Sequence, residues 1–349
     1  MKLAIVPGDG IGVDVTREAV RLLERLDARR SLGLELVSFP WSADHYLATG
    51  ETIPPGAFDD LSRNYDAIFM GAFGDPRVPD MKHAADILLG ARFQLDLYVN
   101  YRPVRCVDDR LSPLKGYSAA DVDFVVFREN TEGSYVGIGG NFKKGTPDEV
   151  ATQEDLSTRK GVERIIRHAF SFARANGRRR VVMSDKSNAM RFVGDLWQRT
   201  FAAVAGEYPE IEASHLYVDA LCLQLIRDPR PFDVIVTNNM FGDIVTDLGA
   251  ALQGGLGMAA SGNIHPGRVS MFEPVHGSAP KYAGTGRANP FGAILTVALM
   301  LEHLGKKEEA LAIERAVAAS VAARQCTSDV GGELSTSAAA EAVCERLDG

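Results

Sequence analysis

The stretch FDVIVTNNMFGDIVTD, residues 232–247, combines a strand pattern with the start of a helix. Residues 232–237 are mainly apolar or β-branched, which is typical of a buried strand. Asp243 and Asp247 follow four positions apart, so both side chains project from one face of the helix. Ligand sites of open α/β sheets lie beyond the carboxyl ends of the strands. The stretch therefore predicts an α/β protein with an acidic site at this edge.

The acidic pair has two interpretations. Acidic side chains are common on solvated helix faces, so the spacing alone is compatible with an ordinary surface. Two carboxylates at this spacing also repel each other by a few tenths of a kcal/mol unless a cation lies between them. Hard divalent ions such as Mg²⁺ or Mn²⁺ take oxygen ligands and keep coordination positions open for a substrate. The position directly after a buried strand favours the metal site.

Size, charge and cysteine usage exclude several classes of protein. The chain has 349 residues, 46% of them hydrophobic, which is enough for two domains with a large core. Its net charge of −8 disfavours nucleic acid or an anionic membrane as a partner. The four cysteines are scattered without a CxxC pair, which predicts a reduced, cytoplasmic protein. The apolar run over 292–301 is too short to span a membrane and indicates core or subunit interface.

Apolar strand patterns alternate with amphipathic helix patterns along the chain, which favours an α/β sheet. A glycine-rich polar segment over 137–147 predicts an exposed arm or hairpin that reaches a partner subunit. The final hundred residues are predicted to be helical after a glycine-rich connector over 254–267. Strands are predicted over 3–6, 34–39, 65–70, 123–127, 180–183 and 232–237, and helices over 14–26, 159–176 and 190–208.

Two small-residue loops are candidates for contact with a ligand. GDGIG, residues 8–12, follows the first strand but is not a GxGxxG dinucleotide fingerprint, because Val13 occupies the position of the last glycine. It is equally compatible with close approach of backbone to a ligand and with a tight turn. EPVHGSAP, residues 273–280, has small residues that let amide groups approach an anion, although such loops are often only loops.

Five blocks of the sequence together resemble the isopropylmalate and isocitrate dehydrogenase family: PGDGIG at 7–12, RENTEG at 128–133, DKSN at 185–188, NMFGDI at 239–244 and EPVHGSAP at 273–280. The resemblance covers nearly the whole chain. It implies a non-Rossmann α/β fold of two domains with the active-site cleft between them. The larger, cofactor-binding domain would comprise 1–98 and 250–349, and the smaller domain, 99–249, would carry the dimer interface and the arm.

The resemblance also implies a chemistry and the residues that perform it. The family oxidises a 2-hydroxy acid with a nicotinamide cofactor and a divalent metal, then releases a carboxylate as CO₂. Lys186 would be the base and Tyr135 the acid. Without the resemblance, Lys186 could equally be a solvated lysine and Tyr135 a half-buried core tyrosine. Substrate carboxylates would be bound by Arg92, Arg102 and Arg128, whose guanidinium groups pair with carboxylates in a fixed orientation. Mg²⁺ or Mn²⁺ would be held by Asp243, Asp247 and Asp219 of a second subunit, where Asp219 alone could also be a helix cap.

Two segments of the sequence point to different nicotinamide cofactors. Lys281 and Tyr282 are similar to the pair of NADP-using isocitrate dehydrogenases. The segment SDVGG at 328–332 is similar to that of isopropylmalate-using members, and lacks the tyrosine and arginine that complete the NADP pocket. We expect NAD, with NADP also accepted. The resemblance assigns cofactor contacts to Asn188, Glu273, His276, Gly277, Ser278, Ala279, Lys281 and Asn289.

Substrate choice is predicted from the segment before Arg92. Leu88 and Leu89 resemble the apolar wall that isopropylmalate-using members present to the isopropyl group, whose burial is worth about 2 kcal/mol. We expect oxidative decarboxylation of 3-isopropylmalate to 4-methyl-2-oxopentanoate in leucine biosynthesis, by a homodimer with shared active sites. Ala85, where such enzymes commonly have glutamate, keeps tartrate, D-malate or homoisocitrate open as alternative substrates. A catalytically silent subunit is disfavoured because every proposed metal and arginine ligand is present.

Overall fold

The computed structural model describes residues 1–348, with Asp348 described by its backbone alone. Gly349, assigned above to the larger domain, lies outside the described residues. The chain divides into two compact units. Unit 1 comprises residues 1–97, 102–122 and the C-terminal part from residue 250, and unit 2 comprises residues 98–101 and 123–249.

Residues 102–122 belong to unit 1, although the predicted boundary assigns them to the smaller domain. Hydrogen bonds to the C-terminal part of the chain explain their position. The backbone N–H of Arg105 donates to Gln253 Oε1 at 2.8 Å. Arg110 Nη2 donates to the carbonyl of Val321 at 2.6 Å. A segment that lies in the middle of the sequence is thereby attached to the unit built from both chain ends.

Unit 1 is built on a mixed sheet in the order β2-β1-β3-β12-β11. The first four strands run parallel and β11 is antiparallel to β12. The strands are β1 Lys2–Val6, β2 Glu35–Ser38, β3 Ala67–Met70, β11 Ala260–Ile264 and β12 Ser270–Pro274, and residues 102–105 of β4 Val99–Arg105 also belong to this unit. The helices are α1 Ile11–Arg30, α2 Ala43–Thr49, α3 Ala57–Asn64, α4 Lys82–Ala84, α5 Gly90–Gln94, α10 Phe291–His303, α11 Lys307–Ala322 and α12 Thr336–Asp348, with a π-helical turn at Ala85–Leu89.

The apolar run at 292–301 lies inside α10, and nearly all of that helix is buried within the chain. The apolar run is therefore part of the hydrophobic core, which was one of its two predicted locations, and not a subunit interface. The predicted connector over 254–267 is wrong in part, because β11 lies within it. Ala260, Ser261 and Gly262 are all buried, and their small side chains give no strand-like hydrophobic pattern. The prediction that the final hundred residues are helical is also wrong in part, because β12 follows at Ser270–Pro274.

Unit 2 contains a parallel sheet in the order β5-β10-β8-β9. Its strands are β5 Asp123–Glu129, β8 Arg180–Asp185, β9 Glu212–Tyr217 and β10 Val234–Thr237, and its helices are α6 Arg159–Ala175, α7 Arg191–Ala205, α8 Val218–Arg227 and most of α9 Asn239–Leu252. β10 is buried throughout, because it lies between two parallel neighbours. The α/β class predicted from residues 232–247 is confirmed.

The glycine-rich segment forms the predicted hairpin. β6 Gly139–Phe142 pairs antiparallel with β7 Val150–Gln153, and every residue of both strands is exposed. Phe142 and Val150 are among these exposed residues. An isolated two-stranded hairpin is marginally stable in water, so this arm suits a partner.

None of the helices within residues 1–348 is long and apolar enough to cross a membrane. The four cysteines, Cys106, Cys222, Cys326 and Cys344, are all free thiols. Cys106, Cys326 and Cys344 are buried, and burial raises the pKa of each thiol.

Candidate active site

The first turns of α9 carry the acidic pair. The Asn238 side chain accepts a hydrogen bond from the backbone N–H of Phe241 at 2.9 Å, which caps the helix directly after β10. Asp243 is partly exposed and Asp247 is exposed. Both lie on α9 four residues apart, beyond the carboxyl end of a buried parallel strand. This is the location predicted from the sequence.

Arg128, the penultimate residue of β5, is 1% exposed and contacts the start of α9. Its Nε donates to the carbonyl of Asn239 at 2.8 Å and to Asn239 Oδ1 at 3.0 Å. Its Nη1 donates to Asp243 Oδ1 at 2.5 Å. Gly242 makes room for this side chain, since a Cβ there would lie 2.5 Å from Arg128 Cγ. The guanidinium group is therefore held in one orientation at the edge of the acidic site.

Tyr135 lies in the 3₁₀ turn Ser134–Val136. Its hydroxyl donates to Asp243 Oδ2 at 3.0 Å. Its ring centroid lies 5.2 Å from the Arg128 guanidinium carbon. Asp243 thus accepts from a cation on one oxygen and a phenol on the other, and three predicted site residues form one cluster.

Lys186 and Asp219 form a second cluster in unit 2. Lys186 Nζ lies 2.7 Å from Asp219 Oδ1, with the side chains 28% and 68% exposed. The hydrogen bond from Lys186 lowers the pKa of the Asp219 carboxyl. Tyr217 holds the N-cap position of α8, so Asp219 is not the helix cap that remained possible from the sequence. Asn188 is exposed in the loop after Lys186.

All of these groups follow the carboxyl ends of neighbouring parallel strands. Within residues 1–348, however, no three acidic, histidine or cysteine side chains converge in a manner that could hold a metal ion. One chain alone therefore does not assemble the predicted trio of Asp219, Asp243 and Asp247. Those metal ligands stay a prediction that requires a second chain.

In unit 1, Arg92 on α5 is 8% exposed and faces Glu273 of β12. Arg92 Nη2 donates to Glu273 Oε1 at 3.0 Å, and that oxygen also accepts from Asn263 Nδ2 at 2.8 Å. The Arg92 Nε atom is buried with no hydrogen-bond partner among residues 1–348. A buried guanidinium donor without a partner suits an anionic ligand. Arg102 in β4 is also buried, at 7% exposed.

The π-helical turn at Ala85–Leu89 carries the two candidate specificity residues. Leu88 packs against the hydrophobic core that includes Ile87 and Leu61, whereas Leu89 is half-buried outside that cluster. π-helical turns occur often at functional sites, and the hydrophobic pattern of the sequence does not predict one. Both leucines are half-buried, and their contact with a substrate stays a prediction.

The candidate nucleotide loop follows β12. Burial lowers the pKa of His276, whose Nε2 has no hydrogen-bond partner among residues 1–348. A neutral imidazole with an unused nitrogen suits contact with an adenine or ribose. The neighbouring Gly277 leaves open space where a Cβ would lie, and Ala279 adopts φ 36°. The Ser278 hydroxyl already donates to the carbonyl of Gly74 at 2.6 Å.

The end of this loop is cationic. Lys281 Nζ lies 4.8 Å from the Tyr282 ring centroid, and the Arg287 guanidinium carbon lies 5.4 Å from the same centroid. Arg287 is a residue that sequence reasoning missed, because it lies five positions beyond the Lys281-Tyr282 pair. Asn289 is buried and donates from Nδ2 to Asp329 Oδ2 at 2.9 Å.

Buried arginines in unit 1, and an acidic pair and a partly exposed lysine–carboxylate pair in unit 2, suit an enzyme that acts on a small molecule. A family model described as isocitrate/isopropylmalate dehydrogenase matches residues 2–343. The chain belongs to the isocitrate/isopropylmalate dehydrogenase family, and is an oxidoreductase, as the five sequence blocks predict.

Curated relatives and a solved structure agree with this assignment. The 3-isopropylmalate dehydrogenase of Thermobifida fusca is 45% identical over 349 residues, covering 99% of this chain and 98% of the relative. That of Nocardia farcinica is 48% identical and covers 94% and 96%. The crystal structure of isocitrate dehydrogenase from Methylococcus capsulatus has a TM-score of 0.89 at 36% identity, covering 100% and 99%. The predicted fold is confirmed.

Proposed function

We propose that the chain catalyses NAD-dependent oxidative decarboxylation of 3-isopropylmalate to 4-methyl-2-oxopentanoate and CO₂. The observation that carries this proposal is the 45% and 48% identity, over nearly the whole chain, to relatives named 3-isopropylmalate dehydrogenase. The similar isocitrate dehydrogenase structure is only 36% identical. Leu89 also supports an apolar substituent, since isocitrate would require a polar or cationic contact for its third carboxylate.

Arg92, Arg102 and Arg128 would bind the two substrate carboxylates. The support for Arg92 is its buried Nε, and the support for Arg128 is the rigid orientation given by Asn239 and Asp243. A guanidinium that is already held in place loses little side-chain entropy when it pairs with a carboxylate. This would fix the face of C2 that is presented for oxidation.

Asp243 and Asp247, with Asp219 of a second copy, would hold Mg²⁺ or Mn²⁺. The residues fit such an ion, because all three donors are carboxylates and Asp243 is 41% exposed. A carboxylate has about four lone-pair positions, so the bonds from Arg128 and Tyr135 leave acceptor capacity. When bound, the metal would polarise the C2 oxygen and stabilise negative charge there after CO₂ departs.

Lys186 and Tyr135 would move the protons. Lys186 would take the proton of the C2 hydroxyl, through a water molecule, and a bound nicotinamide would supply the hydride acceptor for C2. The C3–carboxylate bond then breaks and leaves an enolate, and Tyr135 would deliver a proton to C3. The hydrogen bond from Tyr135 to Asp243 supports this role, because it holds the phenol beside the acidic site.

NAD would be bound by the loop of unit 1, with the side chains of Glu273, His276 and Asn289 and the backbone of Gly277, Ser278 and Ala279, and by Asn188. Burial of His276, which keeps the imidazole neutral, supports contact with an uncharged base. Lys281, together with Arg287, offers positive charge for a 2′-phosphate, so NADP would also be accepted. The four free thiols support a reduced compartment, which we propose is the cytoplasm.

Purified protein with Mn²⁺ tests the proposal when NAD or NADP is combined in turn with 3-isopropylmalate, D-malate, tartrate, homoisocitrate and isocitrate. We expect the highest kcat/KM with 3-isopropylmalate and NAD, with 4-methyl-2-oxopentanoate and CO₂ formed in equal amounts. The substrate assignment is wrong if D-malate or tartrate is oxidised while 3-isopropylmalate is not.

Shared active sites in a homodimer can be tested by subunit mixing. Lys186→Met and Tyr135→Phe should each abolish most activity. If each site takes Tyr135 from one chain and Lys186 from the other, a dimer of one Lys186→Met chain and one Tyr135→Phe chain has one site with both residues intact. Its other site lacks both. Refolding equal amounts of the two variants together should then restore about a quarter of wild-type activity, because half of the dimers are mixed and each has one working site. No recovery would contradict shared sites.

A further inference from the structure

Asp9, in the glycine loop between β1 and α1, is 5% exposed and accepts hydrogen bonds from three segments of unit 1. Its Oδ1 accepts from the backbone N–H of Ala43, the first residue of α2, at 2.7 Å. Its Oδ2 accepts from the backbone N–H of Gly74 at 2.8 Å. His83 Nε2 lies 2.8 Å from the same oxygen. One buried carboxylate therefore connects segments that are far apart in sequence.

The glycines of this loop are required by protein backbone. A Cβ at Gly8 would lie 2.2 Å from the carbonyl oxygen of Ala72, and a Cβ at Gly10 would lie 2.1 Å from that of Ser278. Both residues also have positive φ. Close approach of other backbone segments explains these two glycines, which is neither of the two interpretations of GDGIG given above, and it brings Asp9 close to the nucleotide loop.

The backbone of Gly74 connects Asp9 to that loop. Its N–H donates to Asp9 Oδ2, and its carbonyl accepts from the Ser278 hydroxyl at 2.6 Å. The carbonyl of Ser278 accepts from the N–H of Ile11 at 2.7 Å. Ser278 is thus bonded through its hydroxyl to Gly74 and through its carbonyl to Ile11. Because the Ser278 hydroxyl is already bonded to Gly74, we expect it to affect nucleotide binding by fixing the position of the loop.

His83 connects Asp9 to the segment that precedes the proposed substrate residues. It is fully buried in α4, and its ring stacks on Tyr46 with centroids 6.4 Å apart and planes 13° apart. The π-helical turn with Leu89 follows directly, and then α5 with Arg92. A shift of His83 would therefore move the start of the helical segment that carries both residues.

We propose that Asp9 is a positioning residue that fixes the nucleotide loop through Gly74 and Ser278, and the substrate-binding helical segment through His83. The identity of the two ligands rests on the proposed function. Asp9 touches neither ligand in this role. It coordinates two binding segments because the three donors that surround it belong to different parts of unit 1.

Three substitutions separate the two connections. Ser278→Ala removes only the bond to Gly74, so the Kd for NADH should rise about three- to tenfold while the KM for the hydroxy acid changes less than twofold. His83→Phe keeps an aromatic ring on Tyr46, so the KM should rise by a similar factor and the Kd should stay nearly constant. Asp9→Asn sets an NH₂ group against the Ala43 N–H in one amide orientation, and against the Gly74 N–H and His83 in the other. The side chain is displaced in either case, so both constants should rise.

Asp75→Asn is the matched control, because Asp75 is an adjacent, 9% exposed carboxylate that bonds to Arg77 instead. It should lower the melting temperature and leave both constants within about twofold of the wild-type values, as expected for a purely structural residue. The inference is overturned if Asp9→Asn behaves like this control. If Asp9→Asn does not fold, Ser278→Ala and His83→Phe test the inference by themselves. Equal shifts of the Kd and the KM in each of these two variants would overturn it.

Measuring NADH binding by fluorescence keeps this test independent of the substrate. Wild-type protein that binds NADH without oxidising 3-isopropylmalate would contradict the proposed function alone, and the effects of Ser278→Ala and Asp9→Asn on Kd would still be decisive. Wild-type protein that binds no NADH would overturn the inference itself.

Discussion

Gly242→Ala should displace the arginine that we propose binds substrate. The new Cβ would lie 2.5 Å from Arg128 Cγ and 2.6 Å from Arg128 Cβ. Ordinary carbon contacts are about 3.5–4.0 Å, so the arginine stem has to move by about 1 Å. Arg128 cannot yield freely, because it is 1% exposed and bonded to Asn239 and Asp243.

The cost of this displacement differs between stability and catalysis. Overpacking a buried site costs about 1–3 kcal/mol. With an unfolding entropy of about 2.1 cal/mol/K per residue, a chain of 349 residues would lose roughly 1–4 °C in Tm. A misplacement of about 1 Å in a substrate-positioning group can reduce the rate about a hundredfold. We therefore expect a folded protein whose kcat/KM for 3-isopropylmalate falls by about two orders of magnitude.

Steady-state kinetics and calorimetry, run side by side, test this prediction. Gly206→Ala is the control, because Gly206 ends α7 in helical conformation and its nearest atoms would be 3.5 and 3.7 Å from the new Cβ. That variant should keep its activity and its Tm. The argument about Arg128 is refuted if Gly242→Ala keeps kcat/KM within about threefold of the wild-type value.

Three further predictions concern specificity and acid stability. Leu89→Ala should lower kcat/KM for 3-isopropylmalate about tenfold relative to D-malate in the same preparation, because part of the apolar wall is lost; an unchanged ratio would exclude Leu89 from the pocket. Lys281→Asp should raise the NAD to NADP ratio of kcat/KM about tenfold, whereas the exposed control Lys307→Asp should not change it. Hydrogen bonds from Arg77 hold the pKa of Asp75 at about 2, below its usual 3.8, so its stabilising contribution is full above about pH 4 and is lost as pH falls towards 2. The difference in Tm between wild type and Asp75→Asn should therefore shrink across that range, and a constant difference would contradict this pairing.

The sequence predicts most of unit 2, because most of its strands and helices have strong patterns. Residues 159–175 show this, where the predicted helix differs from α6 by one residue. β9 and α8 were not predicted, and β9 has no run of buried apolar residues. β11 was missed because buried alanine, serine and glycine resemble a flexible connector. The π-helical turn at Ala85–Leu89 has no known signal in hydrophobic periodicity.

The site shows a different limit. Asp243 and Asp247 are found from local spacing, but Arg128 and Asp243 are 115 residues apart, and only the family resemblance brings them together before a structure is known. Asp9 and His83 are 74 residues apart, and nothing in the sequence near His83 indicates a contact. Arg287 beside Tyr282 was likewise missed. Pairings set by tertiary packing are not visible to patterns that extend over one helix or strand.

Charge balance at these groups leads to one more prediction. Asp243 is paired with Arg128, and Asp219 with Lys186, so each pair is close to neutral by itself. A divalent cation alone, or the two carboxylates of 3-isopropylmalate alone, would bring an uncompensated double charge to partly buried groups. Bound together, the two charges cancel. Metal and substrate should therefore bind cooperatively.

Calorimetric titration with Mn²⁺ measures this coupling directly. We expect Mn²⁺ to bind at least tenfold more tightly when 3-isopropylmalate is present, after correction for the complex that the two form in solution. Isovalerate is the matched control, because it has the same branched chain but one carboxylate and no hydroxyl, and it should have little effect. Binding linkage is reciprocal, so Mn²⁺ must raise the affinity for 3-isopropylmalate by the same factor. Independent binding of metal and substrate would mean that the carboxylate and guanidinium groups around Asp243 do not serve one common site, and the roles proposed for Arg128 and Asp243 would then have to be separated.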